Sequence, residues 1–290
     1  MNYEKLLKEK IFKTYEFTAE LCRQHNLRFY ACGGTMLGAV RHHDMIPWDD
    51  DIDIYMPRND YEKFLELRES VKEDGYDMVS ISDEGYYLPY AKLIDTTTTL
   101  WESPQHSCLI GVFIDIFPLD TYECSDMDIY RHQIKCRDAF LRYAMMSESN
   151  VWQMLKRHIS GYHLKRAATL LFWKFVGLFL RKHQLRKFFY LSSELTCDDG
   201  TKCVCNTQWE GKIFKTEWFD DCIDMSFGST TIPVPRQYDE YLTLLYGDYM
   251  QLPPKNQRVS QHFREYLNLC ERLTMKEVKK RIAQGKRMEY

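Results

Sequence analysis

Apolar and polar positions along this chain repeat with two different periods. Residues 3–25 place apolar side chains at mostly helical spacing, and Asn26 ends that predicted helix. Further on, short apolar or alternating runs predict strands separated by brief helices. The predicted strands cover residues 27–32, 52–56, 78–81, 90–94 and 112–117, and the predicted short helices cover 35–41 and 60–71. This pattern indicates an α+β (or α/β) core, a mixed sheet flanked by helices, that ends near residue 122.

Turn and cap residues mark the borders of these elements. Gly33-Gly34 breaks the first predicted strand, and Thr35 is the predicted N-cap of the helix that follows. Pro57 ends the second strand, and Asn59 is the predicted N-cap of the next helix. Each of these borders therefore has a residue with a physical reason to stop or to start an element.

The middle of the chain is predicted to be a mostly helical insertion with an unusual charge. Residues 126–190 have a helical pattern, and 151–190 contain nine Lys or Arg but no Asp or Glu. Three parts are therefore predicted: a core at 1–124, a basic helical region at 125–200, and a C-terminal part at 201–290 that completes the core. The final stretch, 274–290, predicts a helix followed by frayed residues.

Composition narrows the class of protein. In 290 residues, 44% are hydrophobic and 28% are charged, which is enough apolar material for a sizeable core. The net charge of -3 suggests no nucleic-acid partner. The N-terminus resembles no signal peptide and no uncharged apolar run reaches the roughly 18 residues of a membrane span, so we expect a cytoplasmic protein.

Ten cysteines could indicate a disulfide framework or a zinc site. In a chain predicted to be cytoplasmic, reduced thiols are the favoured interpretation. Cys203 and Cys205, with Cys197 and Cys222 nearby, leave zinc as an alternative, but they lack the paired CxxC-like spacing that structural zinc sites use.

Four aspartates crowd into five positions after the first glycine pair. Side chains alternate along a strand, so Asp51 and Asp53 should point to one face, with Asp49 but not Asp50 beside them. Asp115 lies in the middle of an apolar predicted strand, where a carboxylate is costly unless it is paired or binds a metal. We therefore predict a Mg²⁺ (or Mn²⁺) site at Asp51, Asp53 and Asp115. The alternative is a set of solvated carboxylates at a strand end.

Other residues in the same region fit a phosphate. Gly33, Gly34 and Thr35 would let backbone N–H groups at a helix N-terminus approach a phosphoryl oxygen. Arg41 and Lys92 could add positive charge, although either could be an ordinary surface cation. Together with a metal, these groups suit phosphoryl transfer to a hydroxyl, with Asp115 accepting or orienting its proton.

Long ordered segments of the chain resemble a known family. They read GGTMLGAVRHHDMIPWDDDIDIYMPRNDYEKF from residue 33, GVFIDIFPLD from residue 111 and IPVPRQYDEYLTLLYGDYMQLPP from residue 232. The first two resemble the nucleotidyltransferase fold, with its glycine pair, its acidic strand and its third acidic residue on another strand. All three, more narrowly, resemble the LicD family of phosphocholine transferases.

The resemblance implies transfer of phosphocholine from CDP-choline to a sugar hydroxyl of a cell-surface glycan precursor (teichoic acid, lipopolysaccharide or capsule), with CMP leaving. It implies metal and catalytic roles for Asp51, Asp53 and Asp115. Gly33 and Gly34 would form the phosphate turn, with Asp248 of the third segment also on the donor side. Two alternatives stay open: another donor (CDP-ribitol, CDP-glycerol or a nucleoside triphosphate), or an inactive member of the family that binds glycan.

Two further expectations concern binding surfaces. A choline group would be bound by aromatic faces, for which Trp48, Trp101, Trp209 and Tyr249 lie near the family segments. The basic stretch could be a solvated face or a nucleic-acid site, but we favour peripheral contact with the anionic inner face of a membrane, where a lipid-linked acceptor would lie. The apolar residues expected to enter the lipid interface are Leu170, Leu171, Phe172, Trp173, Phe175 and Phe179.

Overall fold

A seven-stranded mixed sheet forms the centre of the fold. The structure, a computed structural model, describes residues 3–147, 164–205, 207, 212–260 and 262–290. The described helices are α1 (Tyr3–Gln24), α2 (Gly33–His42), α3 (Arg58–Glu66), α4 (Arg68–Val71), α5 (Asp126–Ser147), α6 (Leu164–Ser193), α7 (Tyr238–Tyr246) and α8 (Met275–Ala283). The described strands are β1 (Tyr30–Ala31), β2 (Asp53–Pro57), β3 (Tyr76–Val79), β4 (Ala91–Asp95), β5 (Thr99–Trp101), β6 (Phe113–Tyr122), β7 (Lys202–Val204), β8 (Phe214–Lys215), β9 (Cys222–Phe227), β10 (Thr230–Pro235), β11 (Tyr266–Asn268) and β12 (Met288–Glu289).

The order of strands brings the acidic segments together. In the central sheet the order is β1-β2-β6-β4-β3, with β7 continuing from β6 and β8 pairing with β7. The β2–β6 pair is parallel, whereas the other described neighbours in this sheet are antiparallel. Smaller sheets are formed by β9 with β10 and by β11 with β5 and β12. The predicted α+β class, with a helical middle region, is confirmed.

Helix α1 covers one face of the central sheet, as its sequence pattern predicts. It packs on β4 and β6. Its apolar stripe buries Leu7, Ile11 and Tyr15 with 7%, 2% and 0% exposure, at the helical spacing seen in the sequence. Asn26 follows the helix with φ of 54°, the left-handed conformation that stops a helix and that Asn tolerates.

Three predicted borders are wrong. The first strand is only Tyr30–Ala31, although 27–32 was expected. The predicted 60–71 helix begins earlier, at Arg58, and is interrupted at Leu67. Asn59 lies in the first turn rather than at the cap, and its side-chain amide donates to Asp198 at 3.1 Å. A tertiary partner far along the chain thus replaces the local cap that the sequence suggested.

Strands from the C-terminal part of the chain add to the sheets of the core. The predicted strand 112–117 continues to Tyr122, because β7 pairs with its far half. Helix α8 confirms the predicted C-terminal helix, and Thr274 begins it as the N-cap of a capping box. The prediction that the residues after α8 are frayed is wrong, because β12 pairs with β11 there.

The described part of the middle region is a helix pair. Helices α5 and α6 pack against each other around a small core of their own, which includes Phe140 and Phe188. No helix in the described ranges is long and apolar enough to cross a membrane. The ten cysteines form no disulfide bond with one another, and their reduced state stays a prediction.

Candidate active site

Three carboxylates meet at the start of β2 and β6. Asp53 and Asp115 are register partners in the parallel pair, and Asp51 lies just before β2. One oxygen from each lies within 4.8 Å of the other two. Oδ1 of Asp53 is buried and has no hydrogen-bond partner among the described residues. The predicted convergence of these three carboxylates is confirmed, and a buried oxygen without a partner is uncommon in folded proteins.

Burial and mutual repulsion make the three aspartates hard to ionise. Burial is the largest cause, and nearby carboxylates add to it, raising the pKa of Asp51 to about 8 and that of Asp53 well above its usual range. Burial also raises the pKa of Asp115 to about 6, although the Lys92 ammonium opposes the shift. The cluster therefore binds positive charge, either protons or a cation. Carboxylate oxygens are the ligands that Mg²⁺ and Mn²⁺ prefer.

This electrostatic arrangement predicts a pH-dependent stability. Because the folded-state pKa values of Asp51 and Asp115 lie above the unfolded value, their contribution to stability is complete in acid and is lost as the pH rises through about 6 and then about 8. His262, whose pKa is raised to about 9, acts in the same direction. We expect melting temperatures in chelator to fall over this range, and Mg²⁺ to raise the melting temperature more at the alkaline end. An equal Mg²⁺ effect at both ends would contradict this prediction.

A second group of ligands adjoins the first. Oxygens of Asp49, Asp50 and Asp51 and a ring nitrogen of His262 lie within 4.8 Å of one another. His262 Nδ1 is 2.7 Å from Asp50, its Nε2 is 3.3 Å from Asp51, and Arg264 forms an ion pair with Asp50. The prediction that Asp50 points away is wrong, because β2 starts only at Asp53 and strand alternation does not apply before it. Among the described residues, neither ligand group includes a cysteine.

The hydrogen bond between Asp50 and His262 shifts both groups toward their charged forms. This bond, together with the Asp51 charge, raises the pKa of His262 to about 9 although burial opposes it. Burial alone would raise the pKa of Asp50, but the His262 hydrogen bond and the Arg264 charge lower it. The acidic run is thus partly neutralised by two residues from the C-terminal part of the chain.

The N-terminus of α2 lies against the acidic cluster, but its residues act differently from the prediction. The Gly33 N–H, expected to meet a phosphate, donates to the Tyr241 hydroxyl at 3.0 Å. A Cβ on Gly34 would lie 2.9 Å from Asp49 Oδ2, so any larger residue here would force the Asp49 carboxylate to shift. Thr35 is not the N-cap, which is Cys32. The Thr35 hydroxyl instead accepts a hydrogen bond from the Asp53 N–H at 2.8 Å and so fixes the start of β2.

Among the described residues, no hydrogen bond or ion pair joins Arg41 or Asp248 to the three carboxylates. Arg41 is in the last turn of α2, about 10 Å along the axis from Gly34. Its guanidinium donates to the carbonyl of Tyr249 at 2.6 Å and to His42 at 3.0 Å, which holds the loop after α7 in place. Asp248 is an exposed residue of that loop. Their predicted role in donor binding stays a prediction.

Lys92 is the cation closest to the cluster. It is 1% exposed, 2.7 Å from Asp115 and 3.5 Å from Glu102, and its ammonium lies 3.3 Å above the Phe113 ring. Burial lowers its pKa, but the two carboxylates outweigh this and raise it overall. Lys92 therefore stays charged and orients Asp115.

A cavity of about 700 Å³ opens beside Asp115 and Lys92. Its aromatic wall is formed by Tyr87, Tyr90, Phe113 and Phe263. None of these is an aromatic residue that the sequence suggested for choline.

The three suggested aromatic residues that the structure describes lie elsewhere. Trp101 is 5% exposed in a small core of its own, and the Tyr249 hydroxyl is bonded to Asp239 at 2.6 Å. Trp48 packs beside His42. Trp209 falls outside the described residues.

Several residues of the site have no signal in the sequence. His262, Arg264 and Glu102 lie in none of the family-like segments, and only the pairing of β5 with β11 brings the first two near β2. Tyr241, by contrast, lies inside the third segment, so its place at the α2 N-terminus explains part of that resemblance.

Comparisons with known proteins agree with this geometry. The family model described as "LicD/FKTN/FKRP, nucleotidyltransferase domain" matches residues 26–165. The chain is 29% identical over 251 residues to the lipopolysaccharide cholinephosphotransferase LicD of Haemophilus influenzae, covering 84% of this chain and 90% of that protein. It is also 36% identical over 66 residues to an uncharacterised protein of Rickettsia typhi, and 33% identical over 66 residues to one of Rickettsia prowazekii. These two matches cover 23% of this chain and 21% and 25% of the respective relatives.

Proposed function

Because this chain belongs to the LicD family, we propose that it is a phosphotransferase that moves phosphocholine from CDP-choline to a sugar hydroxyl of a cell-surface glycan precursor, releasing CMP. The similarity to the Haemophilus enzyme favours lipopolysaccharide as the acceptor class over teichoic acid or capsule. In the reaction, a bond forms between the acceptor oxygen and the phosphorus that carries choline. The bond from that phosphorus to the oxygen retained by CMP breaks.

The observation that carries this proposal is the buried group of Asp51, Asp53 and Asp115. Three carboxylates with an unpaired oxygen on Asp53 fit a hard divalent cation such as Mg²⁺ or Mn²⁺ better than they fit solvent. These residues would hold it, and when bound it would offset negative charge on the donor phosphates.

The chain's own residues supply the remaining functions. The first turn of α2 has backbone N–H groups at Gly34 and Thr35 without carbonyl partners inside the helix, facing the side where the acidic run lies. Asp115, kept in place by Lys92, is the group that accepts the proton of the attacking hydroxyl. Thr35 keeps Asp53 at the start of β2.

The test is a calorimetric titration of CDP-choline into the full chain, first with Mg²⁺ and then with excess chelator. CDP-ribitol, CDP-glycerol and ATP serve as controls. We expect binding of CDP-choline that the chelator abolishes. Preferential binding of another donor would keep the chemistry but change the substrate. No binding of any donor would favour the inactive, glycan-binding alternative.

We further propose that α6 docks on an anionic membrane surface. Its exposed apolar side chains include Phe172, Phe175, Leu178 and Phe179, with exposures of 59%, 64%, 74% and 75%. Their spacing places them on one helix face, as in interfacial amphipathic helices. Trp173 is only partly exposed, with the Arg142 guanidinium 5.9 Å from its ring centroid, and the Leu170 side chain lies outside the described part of the chain.

Charge supports a membrane as the partner of this face. Lys182 and Arg186 continue the stripe of Leu178 at helical spacing, and both are exposed. Each such residue near an anionic surface contributes about 1 kcal/mol. A lipid-linked acceptor would be presented at that surface.

Vesicle flotation tests this docking. We expect the wild-type chain to float with vesicles rich in phosphatidylglycerol and to float less with phosphatidylcholine alone. The double variant Phe175→Ser/Phe179→Ser should partition at least about tenfold less, because two exposed rings lose their apolar contact. Wild-type protein that stays at the bottom of the gradient would refute the docking. A lipid-independent dimer lost in the variant would instead identify a second copy as the partner.

A further inference from the structure

The cavity beside Asp115 has the composition of a site for a quaternary ammonium. Such a cation has no N–H donor, so it is bound by aromatic faces and by a nearby negative charge rather than by hydrogen bonds. Tyr87, Tyr90 and Phe263 provide rings, and Glu102 provides a carboxylate. We propose that this cavity binds the choline head of the donor, an inference that rests on the proposed function.

The position of the cavity fits the length of choline. Only two carbons separate the choline nitrogen from its phosphate ester oxygen, so the ammonium site must adjoin the reacting phosphorus. Asp115 belongs to the acidic cluster and also lines the cavity. His262, which contacts Asp51, lines the cavity as well. Trp101 and Tyr249 line no part of it.

The rings of the wall are held in position by the fold. Tyr87 is stacked on His106 with ring centroids 4.0 Å apart and 6° between the planes. Tyr90 packs on Phe117 at 4.3 Å. Rings fixed in this way lose little conformational freedom when a ligand binds. Phe263, by contrast, is 64% exposed, so this ring of the wall is accessible to a ligand.

The charges of the cavity favour a cation. One ammonium group already lies on an aromatic ring here, because the Lys92 ammonium is 3.3 Å from the centroid of the Phe113 ring. Its charge is opposed by two carboxylates, Asp115 and Glu102. Glu102 also accepts a hydrogen bond from the Tyr87 hydroxyl, so its carboxylate lies between the buried lysine and the aromatic wall. The positive charge of His262 is paired with the carboxylates of Asp50 and Asp51.

The experiment compares three donors that differ in one group. CDP-choline, CDP-ethanolamine and CDP-glycerol are titrated in Mg²⁺ into wild-type protein and into Phe263→Ala and Glu102→Gln, with CMP as the ligand that lacks the head group. Tyr190→Ala is the matched control, since Tyr190 is also 64% exposed but lies near the end of α6. We expect each cavity variant to bind CDP-choline about tenfold more weakly, with CMP and CDP-glycerol affinities unchanged. The control should bind all ligands as the wild type does.

Four outcomes would overturn the inference, and each has a separate meaning. Equal loss of CMP and CDP-choline binding would show that the variants disturb the nucleotide site or the fold. Unchanged CDP-choline affinity with a raised KM for the acceptor would assign the cavity to the sugar. If the wild type binds no CDP-choline but binds CDP-glycerol, the proposed donor itself is wrong. If the wild type prefers CDP-choline and the variants keep that preference, the cavity is not the choline site, but the proposed donor stands.

Discussion

Asp53→Asn is expected to lower phosphocholine transfer by at least about 100-fold. Mutation of a residue that only supports a metal ligand already lowers activity by up to about that factor, and Asp53 is proposed as a ligand itself. The side chain lies between Asp51 and Asp115, and its buried oxygen has no partner among the described residues. The amide keeps the volume of the carboxylate but removes its charge. Transfer is measured as CMP release at saturating CDP-choline.

The same variant should fold as well as the wild type. Burial and the neighbouring carboxylates raise the pKa of Asp53, so in chelator the amide relieves repulsion and the melting temperature should not fall. Mg²⁺ should no longer raise the melting temperature by the wild-type amount. Asp224→Asn, on the exposed face of β9, is the matched control and should keep full activity. Near-normal turnover by Asp53→Asn would refute the metal assignment.

Lys92→Met is expected to lower the free energy of unfolding by about 3–5 kcal/mol, because it leaves two carboxylates near the core without their cation. The lysine is 1% exposed and contacts both Asp115 and Glu102. Urea denaturation of the wild type and variant measures the difference.

Two controls identify the cause of this loss. Lys8→Met removes an ion pair whose lysine is 45% exposed, and we expect it to cost less than about 1 kcal/mol. The deficit of Lys92→Met should also shrink in acid. The folded-state pKa of Asp115 is already raised to about 6 and would rise further without Lys92, so below it the carboxyl is neutral and needs no partner. A deficit that is independent of pH would indicate lost packing instead of unpaired charge.

Local patterns were sufficient to predict the elements that depend on local periodicity. Helix α1 and the convergence of Asp53 with Asp115 follow from side-chain spacing on one helix and on neighbouring strands. Borders decided by distant residues could not be predicted in this way. The Asn59 side chain donates a hydrogen bond to Asp198 instead of capping its helix, and β6 extends to Tyr122 because β7 pairs with it.

The glycine and threonine of the predicted phosphate turn illustrate the same limit within the site. Their residue types correctly indicate a close approach at a helix N-terminus. Which group approaches is decided by the tertiary structure. Tyr241 bonds to the Gly33 N–H, the Asp49 carboxylate lies beside Gly34, and Thr35 bonds to the backbone N–H of Asp53. Likewise, three of the four rings in the aromatic wall beside Asp115, those of Tyr87, Tyr90 and Phe263, lie outside the family-like segments, so a choice based on proximity in sequence could not include them.

The long separations within the site have a consequence for synthesis. Gly33 and Tyr241 are 208 positions apart, and Asp50 and His262 are 212 apart. A chain emerging from the ribosome therefore carries its acidic run without the groups that neutralise it until the segment with His262, 212 positions after Asp50, has been translated. Contacts of this range also slow folding, because the loop must close before they contribute. A nascent chain that stops before His262 thus lacks a complete site.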